Sequence, residues 1–429
     1  MSEIGKKIKK IRKEKNLTLS DVAQDQLSPA MISLIENGKS KPSAEKLKHI
    51  AQALNVEISD LLGGITREEL REEITRIKKI MSKTNSETLE KAMSKIKELL
   101  PNLGHNVESA KIYEMYARYL SVYYQLYKSK YDELEDKDWV VYLKKAEEIF
   151  ADLQMESNVF TIHLLLALSE YYKGNYPLTI EMIDESLQSV KSLDSYDTIS
   201  DIITLKTLKV YCLEAIGDSD ASLQTLNEVI EFSQKHLMLN QMFEIYNIGA
   251  MIHYNGNDYE TARHYIDKIN KFFALINNDH LYIDKELIFI HYMEFYENLP
   301  EKSLEMIDHF ESKVKTMSLH NDLLVKILSE HLSDFKARCF TKLHQPEKAI
   351  PLFKNLMADS NAKVHPHDIA TRVVNKSYQA LCYMQLNKKE KALEYAKESV
   401  KILKKYPQTA YYQYARNVLQ DIQLSFSKK

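Results

Sequence analysis

Apolar residues in the first sixty positions fall on helical stripes. Ile4, Ile8 and Ile11 recur at i, i+4 and i+7, while Lys6, Lys7, Lys9, Lys10 and Lys13 take the other faces, so one side packs and the other meets solvent or phosphate. Thr18 and Asp21 open a second helix as a capping box with Asp in place of Glu, ahead of Leu19, Val22 and Ala23. A third helix is delimited by Ser28 as N-cap, Pro29 at the first helical position and Gly38 as a left-handed stop. Ile32 and Ile35 form its inner face, which leaves Pro29, Ala30, Ser33 and Leu34 outward and Met31 at the flank. Ser43 to Leu54 predicts a fourth helix through Leu47, Ile50, Ala51 and Leu54, and Val56, Ile58, Leu61 and Leu62 close a five-helix core. That unit ends at a break over Gly64 to Thr66, giving a first domain over 1–64.

Beyond it the pattern changes scale. Two charged helical stretches, 66–82 and 86–99, lead to Pro101 and read as a connector over 65–105. From 106 to 429, turn signals recur at Tyr131-Asp132, Gly174-Asn175, Gly217-Asp218, Gly256-Asn257, Asn298-Leu299-Pro300, His344-Gln345-Pro346 and Asn387-Lys388. Successive turns are 43, 43, 39, 42, 46 and 43 positions apart, a helix-pair period. A small or β-branched residue follows most turns by five or six positions, as at Thr179, Ser222, Ala262, Ser303, Ala349 and Ala392, where paired helices must cross closely. A last helix is expected near Gln408 to Ser425.

Composition supports an all-α fold. The chain has 429 residues, more than one core accommodates, and only nine glycines and nine prolines, too few turn formers for a many-stranded β protein. Cys212, Cys339 and Cys382 lie far apart among apolar residues and read as reduced core thiols. No apolar run reaches the ~18 residues of a membrane span, and the N-terminus is polar and lysine-rich, so a cytoplasmic protein with no membrane partner is expected. Residues 1–62 hold 11 Lys and Arg against 8 Asp and Glu, a net +3 that leaves −6 for the rest of a chain of net −3. The basic end points at an anionic partner.

Motifs for catalysis are missing. The sequence contains no HExxH, GxSxG, phosphate-binding glycine loop or clustered His/Cys set, so no catalytic residues, cofactor or metal are expected, and the chain reads as a non-enzyme. His365 and His367 flank Pro366 and read as surface histidines of a loop.

"LTLSDVAQDQLSPAMISLIENGKSKPSAEKLKHIAQALNVEISDLL" resembles the Cro/repressor-type, or xenobiotic-response-element, helix-turn-helix domain. The resemblance implies a double-stranded DNA operator as partner, with base contacts from Pro29, Ala30, Ser33 and Leu34 beside Ser28. It implies phosphate contacts from Thr18, Asn37, Lys39 and Lys41, and an internal Arg12–Glu36 ion pair. Two departures stand out: Ala23 to Ile32 is one residue shorter than usual, and the turn glycine is missing. No Arg, Gln or Asn occurs between Ser28 and Glu36, so bidentate reading of bases is thin, and sequence choice is expected to lean on apolar contact with thymine methyls, on Ser33 and on duplex shape, with lysines supplying salt-dependent affinity.

"YNIGAMIHYNGNDYETARHYI", "CFTKLHQPEKAIPLF" and "CYMQLNKKEKALEYA" resemble tetratricopeptide repeats, which implies a right-handed superhelix whose first helices line an inner groove. Counting back nine, six and two positions from each turn nominates Gln125, Asn247, Tyr254, Tyr292, Tyr296, Arg338, Lys342, Tyr378 and Gln385, and thirteen back adds Arg118, Lys285 and His331. Amides suit a peptide backbone, aromatics its side chains, and the basic residues a terminal carboxylate. The combination resembles the RRNPP family of bacterial peptide-pheromone receptors, in which inner asparagines hold a short signalling peptide; Asn247 is the best positional match and Asn375 a weaker one. The family implies a homodimer whose peptide switches DNA binding. Two alternatives share the plan: a Rap-like adaptor that binds a response regulator and promotes its dephosphorylation, with Gln125 orienting a water, and a phage- or plasmid-borne regulator.

Overall fold

Caps set the helix boundaries of the N-terminal bundle. The computed structural model describes residues 3–427 except 57, 62–64, 82–84, 191, 192, 194, 277, 278, 318–321 and 354–364; Leu62 and Gly64 of the expected core and break thus lie outside the described residues. Five helices come first: α1 (Glu3–Glu14), α2 (Leu19–Ala23), α3 (Pro29–Glu36), α4 (Ala44–Leu54) and α5 (Ile58–Leu61). Thr18 and Asp21 close a reciprocal capping box on α2. The Ser28 hydroxyl accepts from the Met31 N–H, and Gly38 takes φ 70° just past α3. Ile8, Ile11, Val22, Ala23, Ile32, Ile35, Ile50 and Leu54 form the buried core. Helices α1 and α3 meet at Gly5, where a Cβ would lie 2.2 Å from the Ile35 carbonyl oxygen, so only glycine fits. Arg12 grips Glu36 with two hydrogen bonds of 2.5 and 2.9 Å and donates to the Leu17 carbonyl.

The chain forms two compact units, residues 1–120 with 138–156, and residues 121–137 with 157–429. In the first, α6 (Arg67–Ile80) and α7 (Ser86–Leu99) follow the bundle, and then α8 (Val107–Leu126), whose residues after 120 belong to the second unit. Thr66 caps α6, and Glu69 takes both the Thr66 N–H and hydroxyl at 3.0 Å. The same carboxylate pairs with Lys10 at 2.9 Å and Lys7 at 3.4 Å on α1. Two lysines read from sequence as facing solvent or phosphate thus bind a carboxylate instead. Burial alone would raise the Glu69 pKa, but the Thr66 backbone bond and the Lys10 bond outweigh it and hold the group at about 2. A carboxylate with a depressed folded pKa contributes stability above its unfolded value and loses it as pH falls through the folded one. We expect Glu69→Gln to lower the urea midpoint at pH 6 and the gap to wild type to narrow as pH falls towards 2; a gap of equal size at both pH values would remove the ion pairs as its cause.

The repeats begin with short α9 (Lys128–Asp132) and α10 (Trp139–Asp152). The first expected turn, Tyr131-Asp132, is in fact helical: Tyr131 is buried and donates to the Lys137 carbonyl at 2.7 Å, which anchors α9. Helix pairs then follow as α11 (Glu156–Tyr172) with α12 (Tyr176–Gln188), α13 (Tyr196–Ile216) with α14 (Ser219–Lys235), and α15 (Met242–Asn255) with α16 (Tyr259–Phe273). They continue as α17 (Asp279–Phe295) with α18 (Pro300–Val314), and α19 (Asp322–Lys342) with the short α20 (Pro346–Ala349). An inserted helix, α21 (Pro366–Val373), precedes α22 (Asn375–Gln385), α23 (Lys389–Leu403) and α24 (Ala410–Ser427). No β-strand occurs among the described residues.

Gly174, Gly217, Asn257, Asn298, His344 and Asn387 all take positive φ, which ends each first helix at the spacing read from sequence. Thr179, Ser222, Ala262, Ser303, Ala349 and Ala392 are each wholly buried at the helix crossings. Gly249 makes one approach closer still, with a Cβ there 2.7 Å from the Tyr265 ring. All three cysteines are free and buried, and burial pushes the thiols of Cys212 and Cys339 up to about 12. No described helix is long and apolar enough to cross a membrane.

Candidate functional site

Two regions carry chemistry. The first is the outer side of α2 and α3. Thr18, Ser28, Pro29, Ala30, Asn37, Lys39 and Lys41 are exposed, Ser33 is half-buried, and Leu34 keeps 42% of its surface exposed. The polar side chains here are largely satisfied within the bundle. Asn37 Nδ2 donates to the Ser33 carbonyl at 2.8 Å, and Thr18 and Ser28 serve their helix N-termini. Lys39 and Lys41 make no ion pair among the described residues, so their charges remain for an anion.

The second region is a cavity of about 500 Å³ in the repeat unit, within the ~300–1,000 Å³ of ordinary ligand pockets. Helices α11, α13, α15, α17 and α19 supply its walls, and α21 with its N-cap His365 adds His365, His367, Asp368 and Thr371. Of the residues nominated by register, Asn247, Tyr292 and His331 reach it. Tyr292 donates to Asn247 Oδ1 at 2.9 Å, which fixes that amide and leaves its Nδ2 donors without a partner among the described residues. Tyr172, Tyr211 and Glu244 stand on the same lining. Solvent reaches Glu244 through the cavity, yet protein surrounds it, and this desolvation raises its pKa despite a bond from Tyr211.

The other nominated residues are elsewhere. Tyr254 is buried, stacks on Tyr296 and donates to Glu297 at 2.7 Å. Arg338, 2% exposed, donates to Asn375 Oδ1 at 2.6 Å and to the Thr371 carbonyl, with Glu294 at 3.7 Å. Tyr378 and Lys342 complete that cluster on Glu294 Oε1 at 2.6 and 2.9 Å. These groups are satisfied by one another, and none of them is on the cavity lining. Lys285 pairs with Glu286 among the rings of Phe273, Tyr282 and Phe289. Gln125 bonds Ser121 and Tyr172, and Arg118, in the other compact unit, pairs with Glu114 one turn away. No Lys or Arg lines the cavity among the described residues, so the expected basic holders of a terminal carboxylate are not there.

His365 and His367 are also corrected, being buried rather than on the surface. Burial alone would lower the His365 pKa, but its bond to Glu214, 3.1 Å away, reverses the sign and raises it. The same ring nitrogen lies 3.0 Å from the Tyr211 carbonyl, and His367 contacts the Tyr411 hydroxyl at 3.2 Å. These bonds fasten α21 to α13 and α24. No group of three or more metal-ligating residues occurs among the described residues.

Residues 8–61 match the helix-turn-helix family. No curated protein matches the chain. Among solved structures, it is similar to PlcR of Bacillus thuringiensis in complex with the peptide PapR7 and DNA, at 17% identity over 67% of this chain and 99% of that one, with a TM-score of 0.36. It is similar to ComR of S. thermophilus in complex with DNA and its signalling peptide ComS, at 18% identity over 66% and 97% of the two chains, TM-score 0.33. Aspartyl phosphate phosphatase F of Bacillus subtilis is 14% identical over 82% of this chain and 93% of its own, TM-score 0.47.

Proposed function

We propose that this chain is a cytoplasmic, non-enzymatic transcription regulator, acting as a homodimer, whose helix-turn-helix bundle binds an operator and whose repeat unit binds a short signalling peptide that switches DNA binding. One observation carries the reading: a helix-turn-helix bundle and a cavity lined by aromatic, amide and carboxylate side chains occur on one chain. The cavity's chemistry suits a peptide. Asn247 donates to a backbone carbonyl, Tyr172, Tyr211 and Tyr292 cover apolar side chains, and Leu208 and Met251 supply apolar wall. The RRNPP resemblance of the sequence supports the same plan. DNA contacts fall to Thr18, Ser28, Pro29, Ala30, Ser33, Leu34, Asn37, Lys39 and Lys41, and peptide contacts to Asn247 and Tyr292.

Switching follows by population shift, the peptide favouring whichever arrangement of two bundles fits or misfits paired half-sites. Peptides co-purifying with the full chain, identified by mass spectrometry and added back, should change affinity for a selected duplex by roughly five- to 150-fold. Retention of no peptide together with an unaltered duplex affinity would defeat the sensing half of the proposal.

A further inference from the structure

Helix α3 offers a DNA groove mainly carbon. Its exposed side chains are the Pro29 ring, the Ala30 methyl and the Leu34 isobutyl group, which is 42% exposed, with the Ser33 hydroxyl half-buried beside them. Arg12 is the one arginine between residues 3 and 61, and its guanidinium is locked into Glu36 and the Leu17 carbonyl, so no arginine fork is left for guanine. Asn37, the one amide at the end of the helix, donates back to the Ser33 carbonyl, and the Ser28 hydroxyl is taken by the Met31 N–H. Burying a free Leu34 side chain against a polar base edge would strip water from that edge without replacing its hydrogen bonds. Among the four bases, only thymine presents an apolar group in the major groove, the 5-methyl.

Resting on the DNA-binding proposal above, we infer that α3 selects its operator by packing Leu34 and Ala30 against thymine methyl groups, so that these two residues determine specificity through carbon contact. Lys39 and Lys41 hold the backbone and set affinity for any duplex, while the methyls decide where the bundle stops.

Deoxyuridine isolates the contact, because it deletes the methyl and leaves every hydrogen-bonding atom of the base pair in place. The full-length chain is used to select binding sites from a pool of duplexes with a randomised core. The winning duplex is then resynthesised with deoxyuridine at each thymidine in turn. One or two positions per half-site should lose about four-fold in affinity for the missing methyl. Leu34→Ala should bind the thymidine duplex that much more weakly and no longer distinguish thymidine from deoxyuridine at its own position. Leu34 is exposed, so the variant should fold; Ala30→Gly, with an unchanged circular dichroism spectrum, provides the same comparison at the second position. Equal affinity for thymidine and deoxyuridine duplexes, with a specific site still selected, overturns the inference and leaves DNA binding intact. Selection of no site above the starting pool overturns it too. Failure to bind any duplex removes the DNA-binding proposal along with it.

Discussion

Arg338→Ala should destabilise the repeat unit by about 3 kcal/mol, the lower end of the ~3–5 kcal/mol found when one partner of a buried ion pair is deleted. The lower end applies because Lys342 stays 2.9 Å from Glu294 and keeps that carboxylate partly neutralised. Charge is only part of the loss. The guanidinium also packs over the rings of Phe335 and Tyr378, and it satisfies Asn375 Oδ1 and the Thr371 carbonyl. Thr371 stands on the cavity lining, so the same substitution should loosen α21 and, under the proposed function, reduce retention of a peptide. Arg338→Lys keeps the charge but not the planar fork, and should fall between wild type and alanine. Urea denaturation followed by circular dichroism measures all three proteins. A midpoint for Arg338→Ala indistinguishable from wild type would mean that the cluster is held by the packing around it.

That cluster also shows where sequence reasoning stopped. Counting back nine, six and two positions from the turns at Gly174 and Gly217 gives six positions, of which Leu168, Tyr172, Leu208 and Tyr211 line the cavity and Leu165 and Ala215 do not; Asn247 and Tyr292, from the next two turns, line it as well. The count fails at Arg338 and Tyr378 because α21 interrupts the repeat and turns those positions into interior ones. Nothing local announces this. The bonds that seat α21 join His365 to Tyr211 across 154 positions and His367 to Tyr411 across 44, pairings that no periodicity encodes. Glu244 was missed for a related reason, since a carboxylate on an inner helix is indistinguishable in sequence from one on a solvated face.

The N-terminal bundle was more legible because its determinants are local. Caps at Thr18, Ser28 and Ser43 act within three residues, and the apolar stripes of α1, α3 and α4 converge on one small core. Even the Arg12–Glu36 pair, 24 positions apart, was accessible once the family pattern supplied the pairing. What sequence could not supply was the state of the lysines: Lys7 and Lys10 are the same residue type as Lys39 and Lys41, yet only the former are held by Glu69.

Ala30→Glu should cost the full chain at least about 100-fold in affinity for its selected duplex, since a like charge set against polyanionic DNA costs several kcal/mol. The fold has no reason to suffer. Ala30 is exposed, it follows Pro29 in the first turn of α3, and an acidic side chain there complements the helix dipole. Thermal melting should therefore match wild type, and peptide retention by the repeat unit should be unchanged, which separates lost recognition from lost structure. Fluorescence anisotropy with a labelled duplex reads the affinity directly. Wild-type affinity in a folded Ala30→Glu protein would move the DNA-reading surface off α3 altogether, and Leu34 and Ser33 would lose their part in base recognition with it.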